Sequence, residues 1–185
     1  MEIQTHTPIP HRDWMFARVW RFLAFGMGSG LSSIAPGTVG TLWAWALALL
    51  SYSFFADFTV SDVSILLIFG FFLGCWACGK CGAELGVFDH SGMVWDEIIA
   101  FWLVLLFVLP ASWKIQIIAF ALFRFFDIVK PGPIRWVDAY FKTWQPQGFF
   151  GKWPNFFRGF GVMIDDILAA FFTLIVLSVL INIGF

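Results

Sequence analysis

The chain has 185 residues, of which 60% are hydrophobic, 21% aromatic and only 12% charged. Soluble domains carry about a quarter charged residues, so this composition leaves too little polar surface for an ordinary water-soluble fold. The length is that of a single domain spanning residues 1–185, and the net charge of −1 says little because the charges are segregated along the chain.

The first apolar stretch, Trp14 to Phe25, is broken by Arg18 and Arg21 and is followed by no small-residue cleavage site, so it does not read as a cleaved signal. Its Trp and Phe residues, with two arginines three apart, predict an interfacial helix over 14–25. The run Gly26-Met27-Gly28-Ser29-Gly30 leads to Pro36-Gly37-Thr38-Val39-Gly40-Thr41 and a hydrophobic segment. Glycines let backbone approach a ligand closely, and a helix start carrying Ser29, Thr38 or Thr41 hydroxyls offers free N–H groups to a phosphate. Close helix packing is the alternative use of such small residues.

A membrane-crossing helix needs about 20 apolar residues. Five segments approach that, at 38–56, 63–78, 94–109, 113–128 and 163–183. Segments three and four are separated only by Pro110, Ala111 and Ser112, a tight helical hairpin. The expectation is an all-α, polytopic membrane bundle of about five spans plus the interfacial helix. With the N-terminus inside, ten Lys and Arg residues fall on the inner side and only Lys114 on the outer, a strong positive-inside bias. The outer loop between spans one and two carries Asp57 and Asp62 and no basic residue. The Trp- and Phe-rich stretch 141–160 is expected along the inner interface.

Cys75, Cys78 and Cys81 sit at helical spacing near the inner end of span two. They read as small packing residues rather than a disulfide framework, and a metal site would need His90 as a fourth ligand. His90 itself suits a general acid or base near neutral pH, or a hydrated loop residue.

The inner face also gathers Asp96 and Glu97 at the start of span three, Asp127 at the end of span four, and Asp165 and Asp166 at the start of span five. Charges at the edge of a hydrophobic helix are costly unless paired, hydrated or bound to a cation. Five carboxylates meeting at one depth would repel one another, and Mg²⁺, which takes oxygen ligands, would relieve that. Arg124, Lys130 and Arg135 lie beside them, as ion-pair partners, as a positive-inside flank, or as a cradle for phosphate.

Three blocks occur in order: Gly26-Met-Gly-Ser-Gly-Leu with Ala35-Pro-Gly-Thr-Val-Gly; Asp89-His-Ser-Gly-Met-Val-Trp-Asp-Glu97; and Arg124-Phe-Phe-Asp-Ile-Val-Lys-Pro-Gly-Pro-Ile-Arg135 with Gly161-Val-Met-Ile-Asp-Asp166. Together, from about Phe25 to Ala170, they resemble the phosphatidylglycerophosphatase A family of bacterial inner-membrane lipid phosphatases. The resemblance implies Mg²⁺-dependent removal of phosphate from phosphatidylglycerophosphate in phosphatidylglycerol synthesis, with the active site on the cytoplasmic face. The stretch between Asp138 and Gly161 looks longer than the family's usual connection.

Other phosphatase chemistries lack their residues. The residue six after each cysteine is Cys81, Glu84 or Val87, so there is no Cys-x₅-Arg loop, and no Asp-x-Asp pair is present. What remains is metal-assisted attack by water. Asp96, Glu97, Asp127, Asp165 and Asp166 would hold one or two Mg²⁺ ions. Arg124, Lys130 and Arg135, with Ser29 and Thr38, would bind the phosphate, and His90 or a free carboxylate would move the proton. A cation-coupled transporter is the rival of a different class; it requires acids near mid-bilayer and a path to both faces. A lipid-pathway phosphotransferase is a second rival, separated by a phosphate-release assay. The partner is a membrane phospholipid, and no nucleic acid is expected.

Overall fold

A computed structural model describes residues 9–54, 59–145, 147–148 and 150–184. In chain order they form α1 (Arg12–Phe16), α2 (Val19–Ala24), a tight turn over Gly26–Leu31, α3 (Pro36–Phe54), α4 (Val60–Leu85), α5 (Trp95–Val108), α6 (Trp113–Val129), α7 (Pro133–Thr143), a short turn over Phe150–Lys152, and α8 (Pro154–Asn182). No strand occurs among the described residues, so the fold is all-helical.

Local chemistry sets most boundaries. Thr59 and Asp62 cap α4 reciprocally, each side chain accepting from the other's backbone N–H. Gly86 ends α4 in the left-handed conformation that glycine adopts freely (φ 69°). Pro36, Pro133 and Pro154 open α3, α7 and α8, where a missing N–H costs nothing. Lys130 closes α6 at φ 46°, and Pro131-Gly132 turns the chain into α7.

Helix α5 is the hub, packed on α3, α4, α6 and α8. Its Ile98, Phe101 and Val104 are buried against Phe123 of α6 and Ala169 and Ala170 of α8. Tryptophan N–H groups tie neighbours together: Trp95 donates to the Gly70 carbonyl (3.0 Å), Trp102 to Ala44 (2.8 Å), and Trp45 to the Gln116 side chain (2.8 Å). The most extensive contact is α4 against α8. There Gly79 and Gly159 face each other's helix so closely that an added Cβ would overlap backbone, of Asn155 and Cys75 respectively. Cys75, whose carbonyl meets Gly159, and Cys78 and Cys81 are all buried, as small packing residues should be.

Several expected boundaries move. The interfacial helix over 14–25 is two short helices, α1 and α2, with α2 docked on α4. Arg21, expected at the lipid surface, donates to Glu84 of α4 (2.7 Å) and to the Trp14 carbonyl (2.9 Å) instead. Buried Trp14, Met15 and Phe25 make the segment part of the core. Span two, expected over 63–78, continues as α4 to Leu85, because Gly79, Lys80, Gly82 and Glu84 lower the hydropathy there while Gly79 and Gly82 pack tightly. Span five, expected over 163–183, begins at Pro154 for the same reason, its first turns carrying Gly159 and Gly161. The stretch 141–160 is largely helical at both ends. The first expected span, 38–56, is α3 through Phe54; Phe55, Ala56 and Asp57 lie outside the described residues.

By length and composition α4 and α8 could each cross a membrane. Helices α5 and α6, with 14 and 17 residues, are about 21 and about 26 Å long, shorter than a hydrocarbon layer of about 30 Å.

Candidate active site

Helices α5, α6 and α8 bring their acids to one end of the bundle. Glu97, in the first turn of α5, Asp127, near the end of α6, and Asp166, in the first half of α8, each offer a carboxylate oxygen, and these oxygens lie within 4.8 Å of one another. Asp127 and Asp166 are buried and Glu97 nearly so. Glu97 Oε2 and Asp166 Oδ2 are inaccessible and have no hydrogen-bond partner among the described residues. A buried carboxylate oxygen without a donor is costly. An all-oxygen donor set with such orphans fits a hard divalent cation.

Arg124 braces two of the three. Its Nη1 lies 2.6 Å from Asp127 Oδ2 and 3.1 Å from Glu97 Oε1, and donates also to Thr41 Oγ1 (3.3 Å). Thr41 in turn donates to the Gly37 carbonyl (2.8 Å), so the first turn of α3 backs the guanidinium. Arg124 Nε is buried and has no partner among the described residues, leaving a donor for an anion. Gly37 leaves the room for this: a Cβ there would overlap Glu97 Oε1 and crowd Arg124 Nη2.

A second cluster adjoins the first. Lys130 pairs with Asp165 and with Asp138 of α7 (3.3 Å), and Lys142 also grips Asp138 (2.8 Å). Burial opposes the charge on Lys130, but Asp165, Asp166 and Asp138 outweigh it and raise its pKa, so the ammonium persists. Partial burial opposes ionisation of Asp138, yet Lys142 and Lys130 hold its carboxyl below the usual range. Asp89, in the connection between α4 and α5, is exposed at its own surface. The mass of protein around it, then the Asp165 carboxylate, push its carboxyl up to about 7, with Lys130 and Lys142 pulling the other way.

Glu97, Asp127, Asp166 and Arg124 therefore form one constellation, with Asp165 and Lys130 beside it. Asp96 is buried, and its Oδ1 accepts from the Glu97 N–H (3.1 Å) at the helix start; it is not one of the three convergent carboxylates. His90 accepts from the Gly92 N–H through Nδ1 (3.0 Å) and lies 5.8 Å from the Phe25 ring. Burial lowers its pKa, and it makes no ion pair with the acids among the described residues. Ser29 donates to the Gly26 carbonyl within its own turn (2.8 Å). Thr38 is half-buried in the first turn of α3, and it is Thr41, one turn on, that reaches Arg124. Arg135 is exposed on α7 and has no partner among the described residues. Asp138 and Asp89 have no place in the predicted set; Asp138 is one turn beyond the charged block, and only the fold of α7 carries it back to Lys130.

A Haemophilus influenzae protein named phosphatidylglycerophosphatase A is 44% identical over 157 residues, 83% of each chain. An Escherichia coli protein of the same name is 34% identical over 165 residues, 86% of this chain and 84% of its own. A Bacteroides thetaiotaomicron protein named "Putative phosphatidylinositol-3-phosphatase" is 38% identical over 158 residues, 83% of this chain and 88% of its own. No solved structure matches. The family profile described as phosphatidylglycerophosphatase A matches residues 22–181, a range that takes in every charged group of the constellation. The chain thus belongs to the phosphatidylglycerophosphatase A family.

Proposed function

We propose that this chain is a membrane-embedded, Mg²⁺-dependent phosphatase that hydrolyses the terminal phosphomonoester of phosphatidylglycerophosphate, giving phosphatidylglycerol and inorganic phosphate. The observation that carries the metal part is the buried convergence of Glu97, Asp127 and Asp166 with unsatisfied oxygens. The substrate part rests on family membership and on the names of two relatives. We place the site at the cytoplasmic side of the bacterial inner membrane in a five-span bundle, from the positive-inside count.

Glu97, Asp127 and Asp166 would hold Mg²⁺, which supplies charge neutralisation of the phosphoryl oxygens and a bound water of lowered pKa. Arg124 fixes Glu97 and Asp127 through Nη1 and keeps Nε free to donate to a phosphate oxygen. The first N–H groups of α3, from Gly37 and Thr38, face an anion favourably. Lys130, tethered by Asp165 and Asp138, contributes a positive charge that the tethers hold in place. Attack of water oxygen on phosphorus breaks the bond to the glycerol oxygen, which must receive a proton. Asp89, Asp96, Asp165 and His90 are the groups outside the three ligands able to move it.

Purified protein supplied with phosphatidylglycerophosphate should release phosphate with Mg²⁺ and stop when it is chelated. Asp127→Asn and Asp166→Asn should each lower turnover by about 10³-fold or more, about 4 kcal/mol of barrier, with the helical fold intact. Wild-type turnover in either variant would refute the ligand assignment. Phosphatidylinositol 3-phosphate, assayed in parallel, tests the headgroup: faster release from it would reassign the substrate while leaving the metal site standing.

A further inference from the structure

Helix α7 has two faces with different tasks. Its inward residues are Ile134, which is buried, and Val137, Asp138 and Phe141, which are half-buried. Phe141 packs on Phe160 of α8 (5.6 Å between rings), and Asp138 grips Lys130 of the site. The outward residues are Trp136 and Tyr140, one turn apart and 74% and 58% exposed. Arg135, next to Trp136 in the chain, is exposed as well.

The surroundings of α7 indicate what covers it. The last turn of α6 exposes Ile128 and Val129, and α7 begins four residues after Val129. At the far end, Trp153 is 66% exposed just before α8. Exposed apolar and aromatic side chains thus run from the outside of α6, along α7, to the start of α8. Trp and Tyr, with an apolar ring and a polar tip, partition to the level of lipid headgroups. Arg or Lys beside them favours anionic lipid.

We propose that α7 lies in the headgroup layer of an anionic phospholipid membrane on its Trp136–Tyr140 face, and so sets the height of the site at the lipid surface. The contact reaches the site through Asp138, which holds Lys130 from the opposite face of the same helix. This rests on the membrane reading above, but not on the substrate.

The test uses the full chain in lipid nanodiscs containing phosphatidylglycerol. Trp136→Cys and Tyr140→Cys, each carrying a spin label, place a probe on the proposed face; the native cysteines are all 0% exposed and remain unlabelled. Headgroup docking is expected to give relaxation by both lipid-soluble oxygen and an aqueous nickel chelate, at the interfacial ratio. Relaxation by nickel alone places the face in water and overturns the proposal. Spin–spin broadening that vanishes on dilution with unlabelled protein assigns the face to a second copy and also overturns it. A kinetic arm uses the double variant Trp136→Ser/Tyr140→Ser, whose KM for bilayer-embedded substrate should rise about tenfold. Hydrolysis of a water-soluble short-chain phosphomonoester should be unchanged. Equal loss on both substrates counts against docking. If the chain releases no phosphate from any lipid, the phosphatase reading fails while the depth measurement still decides the docking.

Discussion

Gly37 shows how a residue with no chemistry of its own can set a catalytic geometry. Glycine is the one residue whose missing Cβ lets the first turn of α3 approach Glu97 and Arg124 so closely. In Gly37→Ala the new methyl would push the Glu97 carboxylate out of register with Asp127 and Asp166. Displacements of about 1 Å at a reacting centre cost on the order of 100-fold, so turnover should fall by about that factor while thermal stability changes little. Unchanged turnover in this variant would mean that Glu97 is not a ligand. Asp89 makes a separate residue-level prediction. The protein around it and the Asp165 carboxylate push its carboxyl up to about 7 from an ordinary 3.8. Between those values the folded state binds the extra proton, so the contribution to stability is complete below pH 3.8 and is lost as pH rises toward 7. Asp89→Asn should remove that loss. Melting of wild type and variant should therefore diverge in the variant's favour between pH 4 and pH 8, and parallel melting curves would show that Asp89 titrates normally.

Among the helices, α4 and α8 carry the tightest constraint. The Cβ of Gly159→Ala would overlap the Cys75 carbonyl, a backbone atom that cannot swing aside. Overpacking of this kind costs about 1–3 kcal/mol, and because α8 carries Asp165 and Asp166, the variant should lose both melting temperature and activity. Retention of both would mean that the two helices part readily. These helices also show what sequence could and could not reveal. Each apolar segment lies on a helix, because hydrophobic runs of that length have few other solutions. The ends at Leu85 and Pro154 were hidden, since Gly74, Gly79, Gly82, Gly159 and Gly161 dilute hydropathy while serving the packing that extends the helices. The acids of α5, α6 and α8 stood out because carboxylates are rare in apolar sequence. Gly37 and Thr41 stood out only within a glycine-rich run suited to phosphate, not as the support of Glu97 and Arg124, because that contact is made across helices; Asp138 did not stand out, because it reaches the site only after α7 folds back. The break between α1 and α2 was equally hidden, as Arg21 finds Glu84 63 residues away.

For the molecule as a whole, charge is sorted by end and apolarity by side. The constellation occupies one end, while the outward faces of α4 and α8 present Ile65, Leu66, Ile68, Phe69, Phe72, Phe171, Ile175 and Val179. The proposed five crossings with the N-terminus inside would put the C-terminus on the opposite side of the membrane from the acids. An alkaline phosphatase reporter fused after Phe185 should then be active in the periplasm, and one inserted at Ser91 should be silent. A silent C-terminal fusion would reduce the crossings to an even number. The glycine seam between α4 and α8 also has a bearing on how a lipid reaches the carboxylates. That pair is locked backbone to backbone, whereas α3 is held to α6 through side chains, Thr41 on Arg124 and Trp45 on Gln116. A headgroup arriving from the bilayer would therefore find the α4–α8 side closed, and its path to Glu97, Asp127 and Asp166 would run between helices joined by side chains, which can swing aside.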